Sequence, residues 1–103
     1  MSLTVSTHER DGVTTVCVAG EVDVSCASQL REALDAALKQ GVASLEVDLS
    51  KTPYIDSTGI GVLVGAAHRA AEAGTTFVVA HPQRNVARVL GMLGVNEELG
   101  IRD

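Results

Sequence analysis

The sequence predicts a small α/β domain: a mixed, mostly parallel sheet of four to five strands, with an antiparallel N-terminal hairpin and helices mainly on one face. Three observations carry that reading. Short β-branched runs alternate with longer stretches of helical spacing, and strand–helix–strand units impose parallel pairing with right-handed crossovers. The dipeptide Asp11-Gly12, set between the first two strand-like runs, marks a tight reversal and hence an antiparallel start. Finally, "SLEVDLS" alternates strictly, with Leu45, Val47 and Leu49 on one side and Glu46, Asp48 and Ser50 on the other. A parallel strand covered on both faces reads as a continuous apolar run, so one face of this sheet is expected to stay polar.

The elements follow in order. Leu3, Val5 and Thr7 alternate with polar positions, and the returning strand is β-branched from Val13 to Val18. "SCASQLREALDAALKQG" is a helix with Ser25 as N-cap and Gly41 as stop. Its inward stripe is Ala27, Leu30, Leu34, Ala37 and Leu38, while Arg31, Asp35 and Lys39, each four residues from the next, form a solvated face. "TGIGVLVGAAHRAAEAG" is a second helix with Ile60, Leu63, Val64, Ala67 and Ala71 facing the core. "TTFVVAH" is a short buried strand. "PQRNVARVLGMLG" is a third helix, with Pro82 in its first turn, Val86, Val89, Leu90 and Leu93 inward, and Gly94 as stop. "ELGIRD" adds a weak edge strand. Without repeats, low-complexity tracts or long linkers, residues 1–103 form a single domain.

Composition narrows the function. With 46% hydrophobic and 20% charged residues the chain is expected to be globular and soluble, and with Tyr54 and Phe77 as its only aromatics the core must be aliphatic. A net charge of −5, with the 8 basic residues scattered, argues against nucleic acid. No apolar run reaches the roughly 20 residues needed to span a membrane, and the N-terminal residues lack the pattern of a secretion signal. Cys17 and Cys26 have no metal-ligand or redox spacing and read as reduced, partly buried thiols, so the cytoplasm is the expected compartment.

The chemistry concentrates in "YIDSTGIG", Tyr54 to Gly61, where an apolar pair gives way to an acid, two hydroxyls and two glycines. A hydrolase elbow needs a glycine two positions before the serine, and Ile55 stands there. Of His8, His68 and His81, none has a context that brings it to Ser57; His68 lies about 16 Å further along the same helix by helical rise. Gly59, Gly61 and Gly65 depart from the dinucleotide fingerprint, and the chain is too short for its paired halves. Gly61 and Gly65, four apart, instead suit close approach by another backbone. The carboxylates and histidines form no ligand pattern, so neither a metal nor another cofactor is expected.

Ser57 then remains as a helix cap, as a modified residue, or as both. A hydroxyl at a helix N-terminus is reachable, and a phosphate there gains from the helix dipole without unfolding the domain. Beside it, Thr58, Gly61, Val62, Gly65, Ala66 and Arg69 lie off the predicted core stripe and make a small, apolar outer face ending in Arg69, which reads as a docking surface or, alternatively, as the second buried side of the helix.

"DSTGIGVL", with "GEVD" upstream and "VDLS" just before it, resembles the STAS domain of bacterial anti-sigma factor antagonists, and the resemblance runs from the first hairpin to "VLGMLGV". It implies that Ser57 is phosphorylated by a partner that is both anti-sigma factor and GHKL-type serine kinase. The unphosphorylated chain would bind that partner and release sigma, and a serine phosphatase would restore it. It further implies that Asp56 and Asp23 flank the phosphoacceptor, with Asp23 contacting the partner or positioning the hydroxyl, and that Gly59 and Gly61 give the kinase clearance. Thr58 stands where many relatives have serine and offers a second hydroxyl. The alternative within the same family is a scaffold subunit of a stressosome-like or lipid-transport complex.

Overall fold

The computed structural model describes residues 3–102. In chain order it contains β1 (Thr4–Arg10), β2 (Val13–Ala19), α1 (Ala27–Lys39), β3 (Ser44–Lys51), α2 (Ser57–Ala73), β4 (Thr76–Ala80), α3 (Arg84–Met92), α4 (Asn96–Leu99) and β5 (Ile101–Arg102). The strands form one sheet in the order β1-β2-β3-β4-β5, so spatial order equals chain order. β1 and β2 are antiparallel and every later pairing is parallel, as the alternating pattern predicts. The hairpin closes at Asp11 (φ 53°) and Gly12 (φ 82°), two successive left-handed residues whose twist matches the paired strands.

The helix-facing side of the sheet carries Val16, Val18, Leu45, Val47, Leu49 and Val79, all essentially inaccessible. They meet Leu30 and Leu34 of α1, Ile60 and Leu63 of α2, Val86 and Leu90 of α3, and Leu99 of α4 in one continuous cluster. Each such buried aliphatic side chain contributes about 1.5–3 kcal/mol, which lets the core do without aromatics: Tyr54 is half exposed and Phe77 packs at the margin. The other face holds Thr15, Cys17, Glu46 and Asp48, partly accessible, in line with the polar side predicted for β3. No helix among the described residues is long and apolar enough to cross a membrane.

Several local expectations need correction. Ser25 does not cap α1, which begins at Ala27 after Cys26 and has no side-chain cap. The carbonyl of Asp23 instead accepts from Cys26 N at 3.1 Å and Ala27 N at 2.9 Å, so a turn leads into the helix. Pro82 precedes α3, whose N-cap is Gln83. Only Val86 and Leu90 of that helix are buried. Val89 and Leu93 are 40% and 55% exposed because one narrow stripe of a nine-residue helix reaches the core. In α2, Ala71 is exposed and Val64 half-buried, whereas Val62, Ala66 and Ala70 are buried. α1 packs along α2 and covers the flank that periodicity alone leaves outside. Asp35 pairs across to Arg69 of α2 at 2.7 Å and not along its own helix. The one-turn α4 was not foreseen, and Asp103, the last residue of the predicted edge strand, lies outside the described residues.

Candidate functional site

The loops that follow β2 and β3 leave the sheet at the carboxyl ends of these neighbouring parallel strands and run side by side. Val22 and Ile55 form a parallel bridge between them, with Val22 N donating to Tyr54 O at 2.9 Å and Asp56 N to Val22 O at 3.0 Å. Thr52, fully buried, donates its hydroxyl to Val18 O at 2.8 Å. From the other side, Gln83 and Asn85 at the start of α3 donate to Ser50 O and Pro53 O at 3.0 and 2.7 Å. The segment leading to Ser57 is thus held on both flanks.

Asp56 completes the arrangement. It is the N-cap of α2, in extended conformation, and its Oδ1 accepts from Gly59 N at 3.0 Å. Its Oδ2 accepts from Val24 N, 32 residues away in sequence, at 3.2 Å. One carboxylate therefore satisfies a first-turn amide of α2 and anchors the opposite loop. This corrects the expectation that Ser57 is the cap. Ser57 is the first helical residue, exposed, and no side chain or carbonyl among the described residues engages its hydroxyl. The cap falls to Asp56 because the helix begins at Ser57, which leaves the extended residue before it to accept from the first-turn amide.

Asp23 works inside its own loop. Its Oδ1 accepts from Ser25 N at 2.9 Å and from the Ser25 hydroxyl, with Cys26 Sγ at 3.6 Å. The Ser25 hydroxyl first, then the Ser25 amide, hold the Asp23 carboxyl below its ordinary value.

The glycines divide. Gly59 is buried, and a Cβ there would stand 2.7 Å from both Ile55 Cγ1 and Val22 Cγ1. Packing of the two loops against α2 requires this glycine, so it does not provide clearance for a partner. Gly61 is exposed with open space around it, while a Cβ on Gly65 would stand 3.3 Å from Arg69 Nη1. Neither has another backbone against it, contrary to the close-approach expectation.

Val62, predicted on the outer face, is only 6% exposed; it forms the floor of a 220 Å³ groove with Val24, Ala27, Ser28, Arg31 and Thr58. Val24 is 76% exposed and fastened by the Asp56 carboxylate, so an apolar side chain is held outward beside Thr58. Sequence reading missed both Val24 and Thr52. Periodicity is silent in loops, and the one available signal was a valine between Asp23 and Ser25 with no strand or helix pattern to place it.

His68 is hydrogen-bonded to Glu98 at 2.9 Å, and no histidine among the described residues contacts Ser57. No group of three or more potential metal ligands occurs among the described residues. The arrangement presents the unengaged Ser57 hydroxyl, with that of Thr58 next to it, at the start of a 17-residue helix, beside a carboxylate and the Val24–Val62 groove.

Residues 5–102 match the family described as "Mlab, STAS domain". The chain is 31% identical over 101 residues to an anti-sigma-B factor antagonist of Bacillus subtilis, covering 98% of this chain and 92% of that protein. It is 30% identical over 105 residues to the anti-sigma-B factor antagonist of Listeria monocytogenes, covering 100% of this chain and 91% of that protein. Its fold superposes on the crystal structure of an anti-sigma factor antagonist from Mycobacterium paratuberculosis with a TM-score of 0.91 at 26% identity, over 98% of this chain and 86% of that one.

Proposed function

The chain belongs to the STAS domain family, and on that premise we propose that it is an anti-sigma factor antagonist switched by phosphorylation of Ser57. In its unphosphorylated form it binds an anti-sigma factor that is itself a GHKL-type serine kinase, and sigma is released. A serine phosphatase reverses the modification. The observation that carries this reading is the exposed, unengaged Ser57 hydroxyl, fixed at the first position of α2 by the two-handed carboxylate of Asp56. The hydroxyl is the substrate of another protein's chemistry.

The physics of the switch follows from the surroundings. A phosphoryl group adds about 1.5–2 negative charges and is tolerated at a helix N-terminus, so α2 stays folded. The same charge lands beside Asp56 and the Val24–Thr58–Val62 groove. A partner that buries Val24 and the groove floor there would have to desolvate that charge, which disfavours binding. Asp23 and Asp56 act by shaping the docking surface. Thr58, Gly61 and Val62 form its near part, and Gly65 and Arg69 its far end.

The test uses the chain with its kinase and ATP. Mass spectrometry should place phosphate on Ser57. Ser57→Asp should weaken binding of the anti-sigma factor at least about tenfold, as expected for charge buried at an interface. Ser57→Ala should bind like the unmodified chain and resist phosphorylation. Unmodified Ser57 together with wild-type binding by Ser57→Asp would reject the switch and favour a scaffold subunit.

A further inference from the structure

A second groove lies along the same helix pair. Arg31, in the wall of the Val24–Val62 groove, also lines an open groove of 440 Å³ with Asp35, Leu38, Lys39 and Arg69. Arg31, Asp35 and Lys39 follow at four-residue intervals on α1, and Arg69 reaches over from α2. The Asp35 carboxylate is occupied by Arg69 at 2.7 Å. Arg31 and Lys39 are exposed and make no ion pair among the described residues. Three cations therefore face one carboxylate in a chain that carries 8 basic against 13 acidic residues and a net charge of −5.

We infer that the docking surface continues past Arg31 into this groove, and that the groove takes an acidic segment of the same protein partner. The inference rests on the docking reading above for the existence of that partner. Two observations select the occupant. Arg31 belongs to both grooves, so a partner seated on Val24 and Thr58 has a continuous path to Lys39 and Arg69. The charge is also of the right sign: a chain with a net charge of −5 repels an acidic segment over much of its surface, whereas this groove offers three cations against one carboxylate. Guanidinium forks suit carboxylates, and the half-buried Leu38 gives the segment an apolar contact. Nucleic acid is the poorer fit, because its phosphates need a basic field that this net-acidic chain lacks. On this arrangement the two ends of one surface have separate tasks: charge at Ser57 decides whether the partner binds, and charge at Arg31, Lys39 and Arg69 helps decide which partner it is.

The experiment is calorimetric titration of the anti-sigma factor with the full chain across a salt series. Arg31→Glu and Lys39→Glu should each weaken binding about 3- to 10-fold, and their combination should flatten the salt dependence. Asp35→Asn removes the competing carboxylate without changing its shape and should tighten binding. Arg10→Glu, at the hairpin turn, makes the same charge change elsewhere and should leave affinity near wild type. If the Arg31 and Lys39 variants match Arg10→Glu and Asp35→Asn has no effect, the inference is overturned, even where Ser57→Asp still abolishes binding and the switch stands. If the unmodified wild-type chain binds no anti-sigma factor, the docking reading fails first and this extension falls with it.

Discussion

The loops that launch α1 and α2 each carry an aspartate, and the two carboxylates are used differently. Asp23 folds its own loop: its contacts lie two and three residues away, and the helix that follows has no side-chain cap. Asp56 caps its helix and at the same time grips Val24, 32 residues away. A local carboxylate shapes a turn, whereas a bridging one makes the geometry of one loop depend on the other. Ser57 inherits its position from the second kind of contact. The residue beside the hydroxyl therefore ties the position of Ser57 to that of the Val24 loop.

Gly59 offers the strongest way to break that comparison, since it sits under both loops. Gly59→Ala places a methyl against Val22 and Ile55 and should destabilise the domain by about 1–3 kcal/mol, the usual penalty of overpacking. Denaturant unfolding measures it, and an unchanged midpoint would mean that the loops are not tightly seated on α2.

Asp56→Ala comes next. Loss of an N-cap costs about 1–2 kcal/mol, and the bridging role predicts a further signature. Amide exchange should speed up at Gly59, in the helix, and also at Val24, in the other loop. Faster exchange at Gly59 alone would reduce Asp56 to an ordinary cap.

Asp23→Ala should have the smallest effect, confined to the Ser25 amide and its neighbours. It also carries a pH signature. The Asp23 carboxyl is held below its ordinary value of 3.8, so its contribution is complete above that value and is lost as pH falls through the lowered one. The stability difference between wild type and Asp23→Ala should therefore be constant at neutral pH and shrink in acid. A difference that grows in acid would contradict the hydrogen-bonded assignment.

Much of the molecule was legible in its sequence, for local reasons. The Asp11-Gly12 turn, the stops at Gly41 and Gly94, and the two-faced pattern of β3 depend on backbone preference and on period-two alternation, which neighbouring residues alone impose. The serine that stands unengaged at the head of α2 was also found, through the residues around it. The misses share a cause. Val62 and Ala66 looked outward because a helical stripe is read against one neighbour, and α2 has two, the sheet and α1. Gly59 looked like clearance because nothing in "STGIG" says that Val22 and Ile55 meet above it.

Sequence alone thus determined the alternation of strands and helices, the one-sided core and the candidate hydroxyl, because each follows from residue type and short-range spacing. Tertiary structure decided which carboxylate caps α2, that Val24 is held outward beside Thr58, and that Arg31 lines both the Val24–Val62 groove and the one that holds Lys39 and Arg69. Those features arise where segments distant in the chain are brought together by burial of a common core, and no local pattern encodes the meeting.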